Sequence, residues 1–483
     1  MNRGLIVKIL GILVLIEGVF MLPSTVYSGI TNDGAFNSFL LTLTVLSIAG
    51  ITAYFFIDTK STITPKDGIA IVTCGWIVVS LFGALPLYLS ASVPTYIDGF
   101  FEIVSGFTTT GASVIGDISI VPKSVVLWRS TTHWIGGMGI LVFTLSLLPR
   151  LGVGGFQIFK AESPGPIAGK IDPKMSQTAK RLYSIYLVIT LILFVLLLLG
   201  GMSAFDSIIH TFGVVGTGGF SSKVDSVGHF KGNYIPLVMS VFMMICGTNF
   251  TMHYYLYKKK LSSIYKDEEL KAFYFIIFTA ILIITINLFQ NGFGTLEDVI
   301  VKAIFQVTSI ASTSGFANAD FDMWPAASKF VLLILYFFGS CAGSTAGGIK
   351  IIRILILYKT IKREIVKVIH PKAVIPIKIN GKIINEEIVM GIFAFLGIYM
   401  AIFLGASLLV TLSGMDILTS ISSVATMLSN VGPGFAMVGP TKTFEFYSSG
   451  YKLMFSLLML LGRLEFFTII ALIMPKQSIR GDF

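Results

Sequence analysis

Ten apolar runs of about twenty residues or more take up most of this 483-residue chain, and they leave it few ways to fold outside a bilayer. They lie near 6–27, 36–57, 68–90, 124–148, 182–203, 234–256, 272–291, 328–357, 389–412 and 451–474. Only 12% of residues are charged, where a soluble domain carries about 25%. The chain therefore reads as a polytopic membrane protein. Its first run, "GLIVKILGILVLIEGVFML" from Gly4, has a basic start like a signal peptide but no small-residue cleavage site. It is long enough to span, so a retained helix is expected.

An even number of spans puts both ends on one side. That threading places 26 of the 35 Lys and Arg on the side of the termini, eight on the other and Arg463 inside a span. The positive-inside rule then sets both termini in the cytoplasm. The outer side carries twelve Asp and Glu against its eight cations, which predicts a net acidic mouth that gathers cations. The formal net charge of +10 does not indicate nucleic acid, because the basic residues sit in short loops between spans. Cys74, Cys246 and Cys341 lie in or beside apolar runs without metal-ligand spacing and read as packing residues. His133 and His210 read as local hydrogen-bonding residues.

Four outer segments share one pattern: "SGFTTTGASVIGD", "FDSIIHTFGVVGTGGFSS", "AIFQVTSIASTSGFANAD" and "ISSVATMLSNVGPGFAMVG". Each has a short apolar run, then small or hydroxyl residues, then a glycine. Aligning Gly111, Gly218, Gly315 and Gly432 gives spacings of 107, 97 and 117 residues, so the chain is read as an internal repeat of span, short segment, span. The segments are too apolar for free loops and too short to cross. Re-entrant loops fit, because irregular backbone at membrane depth survives only inside protein or against a wet cavity. Four such loops around one axis would line a pore. Their half-helices would aim negative C-terminal ends at it, and glycine-permitted carbonyls would replace the water shell of a cation.

The loops "TTTGAS", "GTGGFS", "STSGFANADFD" and "NVGPGF", with "WRSTTHWIGGMGI", "GSCAGSTAGGIKIIR" and "LGRLEFF", resemble the Trk/Ktr/HKT potassium transporters. The resemblance covers nearly the whole chain, and the two extra N-terminal spans suggest the bacterial TrkH type. It implies an all-α integral membrane protein with four covalently linked M1–pore loop–M2 repeats around a pseudo-fourfold pore, preceded by two transmembrane helices. The units would be 1–60 for that pair, then 61–160, 161–262, 263–375 and 376–483 for the repeats. It implies K+ as the transported ion, held by carbonyls of Thr109, Thr110 and Gly111; Gly216, Thr217 and Gly218; Thr313, Ser314 and Gly315; and Asn430, Val431 and Gly432. The second glycine of a potassium-channel signature is met only by Gly434, with Ser113 in the first loop, so a shorter and less strict filter is expected. The resemblance further implies potassium uptake across the bacterial cytoplasmic (inner) membrane. It implies a homodimer embedded in lipid and a cytosolic TrkA-like nucleotide-binding regulatory subunit.

The eighth run is interrupted by Gly339, Ser340, Gly343, Ser344, Thr345, Gly347 and Gly348. Glycine costs about 1 kcal/mol against alanine in a helix, so a break is expected. It reads either as a close helix contact through small residues or as a mobile gate in the ion path, with Lys350 near its end. Arg463, in mid-span, reads either as a structural ion pair or as a fixed positive barrier below the filter. The basic stretch 359–387 reads as a solvated segment beside anionic lipid or as a docking site for the regulator. No P-loop, H-E-x-x-H or dinucleotide fingerprint occurs, and no acid or nucleophile pair suggests an enzyme. The rival reading is a proton- or sodium-coupled secondary cation symporter, which would want midplane acids and inverted halves.

Overall fold

The structure, a computed structural model, describes residues 2–55, 64–139, 175–464 and 466–473. An N-terminal helical hairpin comes first, α1 (Arg3–Thr31) and α2 (Phe36–Phe55). It turns at Asn32, whose left-handed backbone (φ 50°) returns its N–H to the Ser28 carbonyl. Asp33 accepts from the Ser28 hydroxyl and, at 2.9 Å, from the Ser124 N–H, which ties this hairpin to the first repeat.

The rest is four similar units. The first has α3 (Pro65–Gly83), α4 (Leu85–Leu89), α5 (Tyr96–Phe107) and α6 (Lys123–Gly137). In the second come α7 (Met175–Leu199), α8 (Ala204–Gly216), α9 (Tyr234–Gly247), α10 (Phe250–Tyr257) and the short α11 (Leu261–Tyr265). α12 (Glu268–Gln290), α13 (Leu296–Ala311), α14 (Ala326–Phe338) and α15 (Ile351–Ile369) build the third. A two-stranded antiparallel hairpin, β1 (Lys378–Ile379) and β2 (Lys382–Ile383), precedes the fourth, which has α16 (Glu386–Thr411), α17 (Ile417–Ser429), α18 (Ser449–Leu464) and α19 (Phe466–Ile473).

Six helices among the described residues are long and apolar enough to cross a bilayer, and α9 with α10 forms a seventh span bent by 97°. Leu191, Phe275 and Leu404 stand more than half exposed on the long helices, a surface that lipid covers and water would not. Three apolar runs remain. The fourth is helical to Gly137 and passes beyond the described residues after Gly139. The eighth breaks between α14 and α15. The tenth is described as α18 and α19 on either side of residue 465, which lies outside the described residues, as does the lysine-bearing segment 140–174.

Each short helix α5, α8, α13 and α17 packs on the two long helices of its own unit. Each also packs on the second long helix of the preceding unit: α8 on α6, α13 on α9, α17 on α14, and α5 on α18, which closes the circle. A chain whose fourth unit contacts its first in the way the others contact their neighbours has pseudo-fourfold symmetry.

Candidate functional site

Each short helix starts on a side-chain cap. Thr95 pairs with Asp98, Ser203 with Asp206, Thr295 with Asp298, and Asp416 with Thr419. Such caps contribute about 1 kcal/mol apiece and leave the opposite ends free to point inward. Those inner ends are alike. Thr109, Thr217, Thr313 and Asn430 return their N–H to the carbonyl three residues back. The next residue in each, Thr110, Gly218, Ser314 or Val431, bonds the carbonyl five back. This is the Schellman closure, with a left-handed residue at its centre. The φ values are 56° at Thr109, 57° at Thr217, 56° at Thr313 and 54° at Asn430. Three are β-branched threonines, for which this conformation is strained by about 1–2 kcal/mol.

Two residues beyond each left-handed cap stands a left-handed glycine: Gly111 (79°), Gly219 (83°), Gly315 (72°) and Gly432 (99°). A Cβ on Gly111 would overlap the Gly218 carbonyl oxygen, one on Gly219 that of Ser314, and one on Gly315 that of Val431. A Cβ on Gly432 would come within 2.5 Å of the Thr110 oxygen, completing the ring. The backbones of four loops thus meet head to tail around one axis, and all four glycines line the same open cavity.

This geometry corrects the second loop. The expected triplet Gly216, Thr217 and Gly218 is one residue early; the equivalent is Thr217, Gly218 and Gly219. Gly216 is the last residue of α8, and a Cβ on Gly218 would meet the His133 ring rather than the neighbouring loop. "GTGG" permits either alignment by composition, and the conformation decides. The other three triplets stand in register with one another.

The acidic mouth is also corrected. The cavity above the ring is lined by Lys223, Lys442 and Arg129 and by no carboxylate. Three of the outer acids nearest the ring are spent on structure. Asp98 bonds Lys452 at 2.6 Å in a buried pair, Glu102 pairs with Arg129, and Asp206 accepts from Ser222 and lies 3.4 Å from Lys223.

Below the ring, twelve residues between α14 and α15 run as irregular backbone. Gly347 donates its N–H to Thr313 Oγ1 at 2.8 Å, and Ser340 Oγ donates to the Ala311 carbonyl at 2.8 Å. A Cβ on Gly347 would lie 2.7 Å from Asn430 Cβ, so the loop passes under both the third and fourth caps. Arg463 reaches it from α18, donating to Thr345 O (2.7 Å), Gly136 O (2.6 Å), Gly137 O (3.1 Å) and Thr109 Oγ1 (3.3 Å). The guanidinium therefore bridges the first cap, the end of α6 and the loop. Lys350 is buried and donates to Ala346 O and, at 3.3 Å, to Gly347 O. Gly343 and Gly348 are left-handed, and Ser344 donates to Cys341 O at 2.6 Å, so both glycines serve turns that a Cβ would strain.

Two partners of this loop escaped sequence reasoning. The bend between α9 and α10 interlocks with it: Cys341 N–H donates to Gly247 O (3.1 Å), and Phe250 N–H donates to Gly343 O (3.0 Å). Asn249 caps α10 by accepting from Thr251 N–H, and "GTNFT" carried that signal. The second partner is Glu269, buried at the start of α12. Its Oε1 accepts from Ala342 N–H (2.7 Å) in the loop and from Ile352 N–H (3.1 Å) at the start of α15. Adjacent Glu268 pairs with Lys359 and accepts from Asn380 N–H, and Asp267 accepts from Asn380 Nδ2. The basic stretch 359–387, read as a solvated segment or a docking site, is the end of α15 plus a hairpin folded onto Asp267 and Glu268, with Lys362, Lys372, Lys378 and Lys382 solvent-exposed.

His133 donates through Nδ1 to Gly106 O (2.8 Å) and accepts the Phe220 N–H at Nε2 (3.2 Å), a pairing that selects the neutral Nδ1–H tautomer. Cys246 and Cys341 are buried free thiols in the interlocked segments.

A four-unit helical chain with a closed ring of re-entrant backbone at its centre is a membrane transporter of the pore-loop architecture. The family model for TrkH, described as a cation transport protein, matches residues 36–480, and the chain belongs to that family. It is 36% identical over 481 residues to the "Trk system potassium uptake protein TrkH" of Escherichia coli K12, covering 98% of this chain and 99% of that protein. The protein of the same name from Vibrio parahaemolyticus is 37% identical, with 97% and 98% covered. The crystal structure of the potassium transporter TrkH from Vibrio parahaemolyticus superposes with a TM-score of 0.88 at 34% identity, over 98% of this chain and 99% of that one. These relatives are named as transport proteins, and this chain is a multi-pass membrane transport protein rather than an enzyme.

Proposed function

We propose that this chain takes up potassium across the bacterial cytoplasmic membrane through a channel-like pore, with both termini in the cytoplasm. Carbonyls of Thr109–Gly111, Thr217–Gly219, Thr313–Gly315 and Asn430–Gly432 form its filter. The observation that carries this reading is the head-to-tail ring of four loops, each with left-handed residues two apart. A left-handed residue at every second position turns successive carbonyls toward the axis, where they replace an ion's water. Strain kept at three threonines is of the kind found where function over-determines a backbone.

The 339–350 loop is the gate, with Arg463 an electrostatic element beside it and Lys350 its inner anchor. Both sit against the filter's base, on the side opposite the open cavity. A cytosolic TrkA-like nucleotide-binding subunit acts on the gate from the face that carries α15 and the β1–β2 hairpin, and the chain works as a homodimer in lipid. The relatives' "Trk system" naming supports a partner subunit. The pore reading is favoured over a symporter because four units share one topology and no carboxylate lines the cavity above the ring.

The test is rubidium-86 and sodium-22 flux into liposomes holding the purified chain, alone and with the regulator. Rubidium uptake that needs no sodium or proton gradient and exceeds sodium uptake is expected. Strict dependence on a second ion's gradient would replace the pore with a symporter.

A further inference from the structure

Seven residues before each left-handed cap, on the buried back of each short helix, stands a polar side chain: Glu102, His210, Gln306 and Ser423. Three of them bond the limb that rises from the ring. Glu102 accepts from Ser113 Oγ (3.0 Å) and Val114 N–H (2.9 Å), His210 Nε2 bonds Ser221 Oγ (3.0 Å), and Gln306 Nε2 donates to Phe316 O (3.5 Å). In the fourth unit the neighbour Ser422 takes over, accepting from Phe435 N–H at 3.1 Å, while Ser423 bonds Tyr447. Each loop thus has a brace at this level; Asp206 also holds the second, accepting from Ser222 Oγ and lying 3.4 Å from Lys223 of the same loop, and Ser309 Oγ also holds the third, donating to Phe316 O at 2.6 Å. The first differs in kind. It is charged, and its cation comes from another helix.

Arg129 on α6 pairs with Glu102, donates to Ser113 Oγ at 3.2 Å, and sets its guanidinium 4.0 Å from the centre of the Phe220 ring. Phe220 directly follows Gly219. Its ring also stacks on His133 at 4.0 Å, and its N–H donates to His133 Nε2. A continuous path therefore runs from the outer limb of the first loop, through Glu102 and Arg129, to the outer limb of the second. Glu102 and Arg129 are both nearly inaccessible, so the pair is screened little by water.

We propose that Glu102 and Arg129 are positioning residues for ion selection: their pair fixes the spacing between the first and second filter loops and so sets how strictly potassium is preferred over sodium. This rests on the filter reading above. The loops differ in stiffness as a result. The joint between the first and second is held by charge, and the neutral braces of the third and fourth let those loops give. Glu102 also neutralises a guanidinium that lines the mouth, so its charge bears on cation entry as well as on width.

The experiment compares rubidium-86 to sodium-22 flux ratios in liposomes for four purified proteins beside the wild type. Glu102→Gln with Arg129→Met removes both charges and leaves no buried charge unpaired. It should lower the ratio at least about tenfold, the equivalent of one charge-assisted hydrogen bond. Phe220→Leu keeps the pair but cuts the link to the second loop, and should lower the ratio about threefold, a fraction of one such bond. Asp98→Asn with Lys452→Met removes the other buried ion pair of α5, which touches no outer limb, and should leave the ratio unchanged. Gly111→Ala tests the filter itself. If it leaves the ratio unchanged, the filter reading fails. If it collapses the ratio while both the Glu102/Arg129 double variant and Phe220→Leu keep it, the positioning role is overturned. A loss of ratio in the Asp98/Lys452 variant equal to that in the Glu102/Arg129 variant would also overturn it, since any buried pair would then do. Should the Glu102/Arg129 variant not yield folded protein, Phe220→Leu decides alone, an unchanged ratio counting against the proposal.

Discussion

Replacing Gly219 with alanine puts a methyl group at a left-handed residue (φ 83°), aimed at the Ser314 carbonyl and within 3.1 Å of the Gly315 carbonyl carbon. The left-handed Cβ costs about 1–2 kcal/mol. The overlap adds about 1–3 kcal/mol as in overpacked cores. No side chain can swing aside, because every close atom belongs to backbone, so the overlap is relieved by moving the Ser314 carbonyl out of the ring. A change of about 1.4 kcal/mol in relative ion binding is tenfold, so the rubidium-to-sodium flux ratio in liposomes should fall at least about tenfold. Gly218→Ala is the internal contrast. It is not left-handed, and its Cβ would strike the His133 imidazole. Trimming that ring with His133→Asn should restore part of the ratio to Gly218→Ala and none to Gly219→Ala. Retained selectivity in Gly219→Ala, or rescue of both variants by His133→Asn, would refute the register and the reasoning behind it.

Arg463→Ala should raise uptake several-fold, more at low ionic strength: an uncompensated charge about 4–6 Å from a passing cation is worth about 3–4 kcal/mol at an effective dielectric of 20, and neighbouring carbonyl dipoles reduce it. A misfolded protein instead would make Arg463 a structural tie between α18, α6 and the loop. Deleting a few residues within Gly343–Gly348 should raise flux and weaken control by the regulator; lower flux at normal expression would move the gate elsewhere. Glu269→Gln exchanges charge-assisted bonds to Ala342 and Ile352 for neutral ones, a loss of about 1 kcal/mol, and should raise regulator-free flux several-fold. In a background without Cys74, Cys246 and Cys341, Ser221→Cys should react with an impermeant thiol reagent from outside and Ser262→Cys should not; the reverse would invert the membrane orientation.

Spans and loops were legible because the bilayer imposes them. Apolar length marks the long helices, and polar backbone between two spans marks a loop that must be buried in protein. The break after Phe338 was legible for a related reason, since seven Gly, Ser and Thr residues among the ten from 339 to 348 disfavour a helix. The bend at Thr248 and Asn249 was not, because a single Gly and an Asn cap sit inside an apolar run that hydropathy reads as continuous. The second loop's register was hidden by its three glycines, which differ only in φ. Glu102 with Arg129, and Glu269 with the 339–350 loop, are pairings 27 or more residues apart. A single sequence records such residues as charges without partners. The outer face holds the acids the sequence counts, but not at the mouth, for the same reason: charge is visible in the sequence, and its consumption by caps and ion pairs is visible only in three dimensions.

The central claim is that four loops make one selective pore, and the reversal potential tests it most directly. With the purified chain in a planar bilayer, potassium chloride on one side and sodium chloride on the other, current should flow and reverse well toward the potassium equilibrium potential. Gly219→Ala should carry that reversal toward zero. A bilayer that passes no current while liposomes still accumulate rubidium only against a sodium or proton gradient would contradict the account.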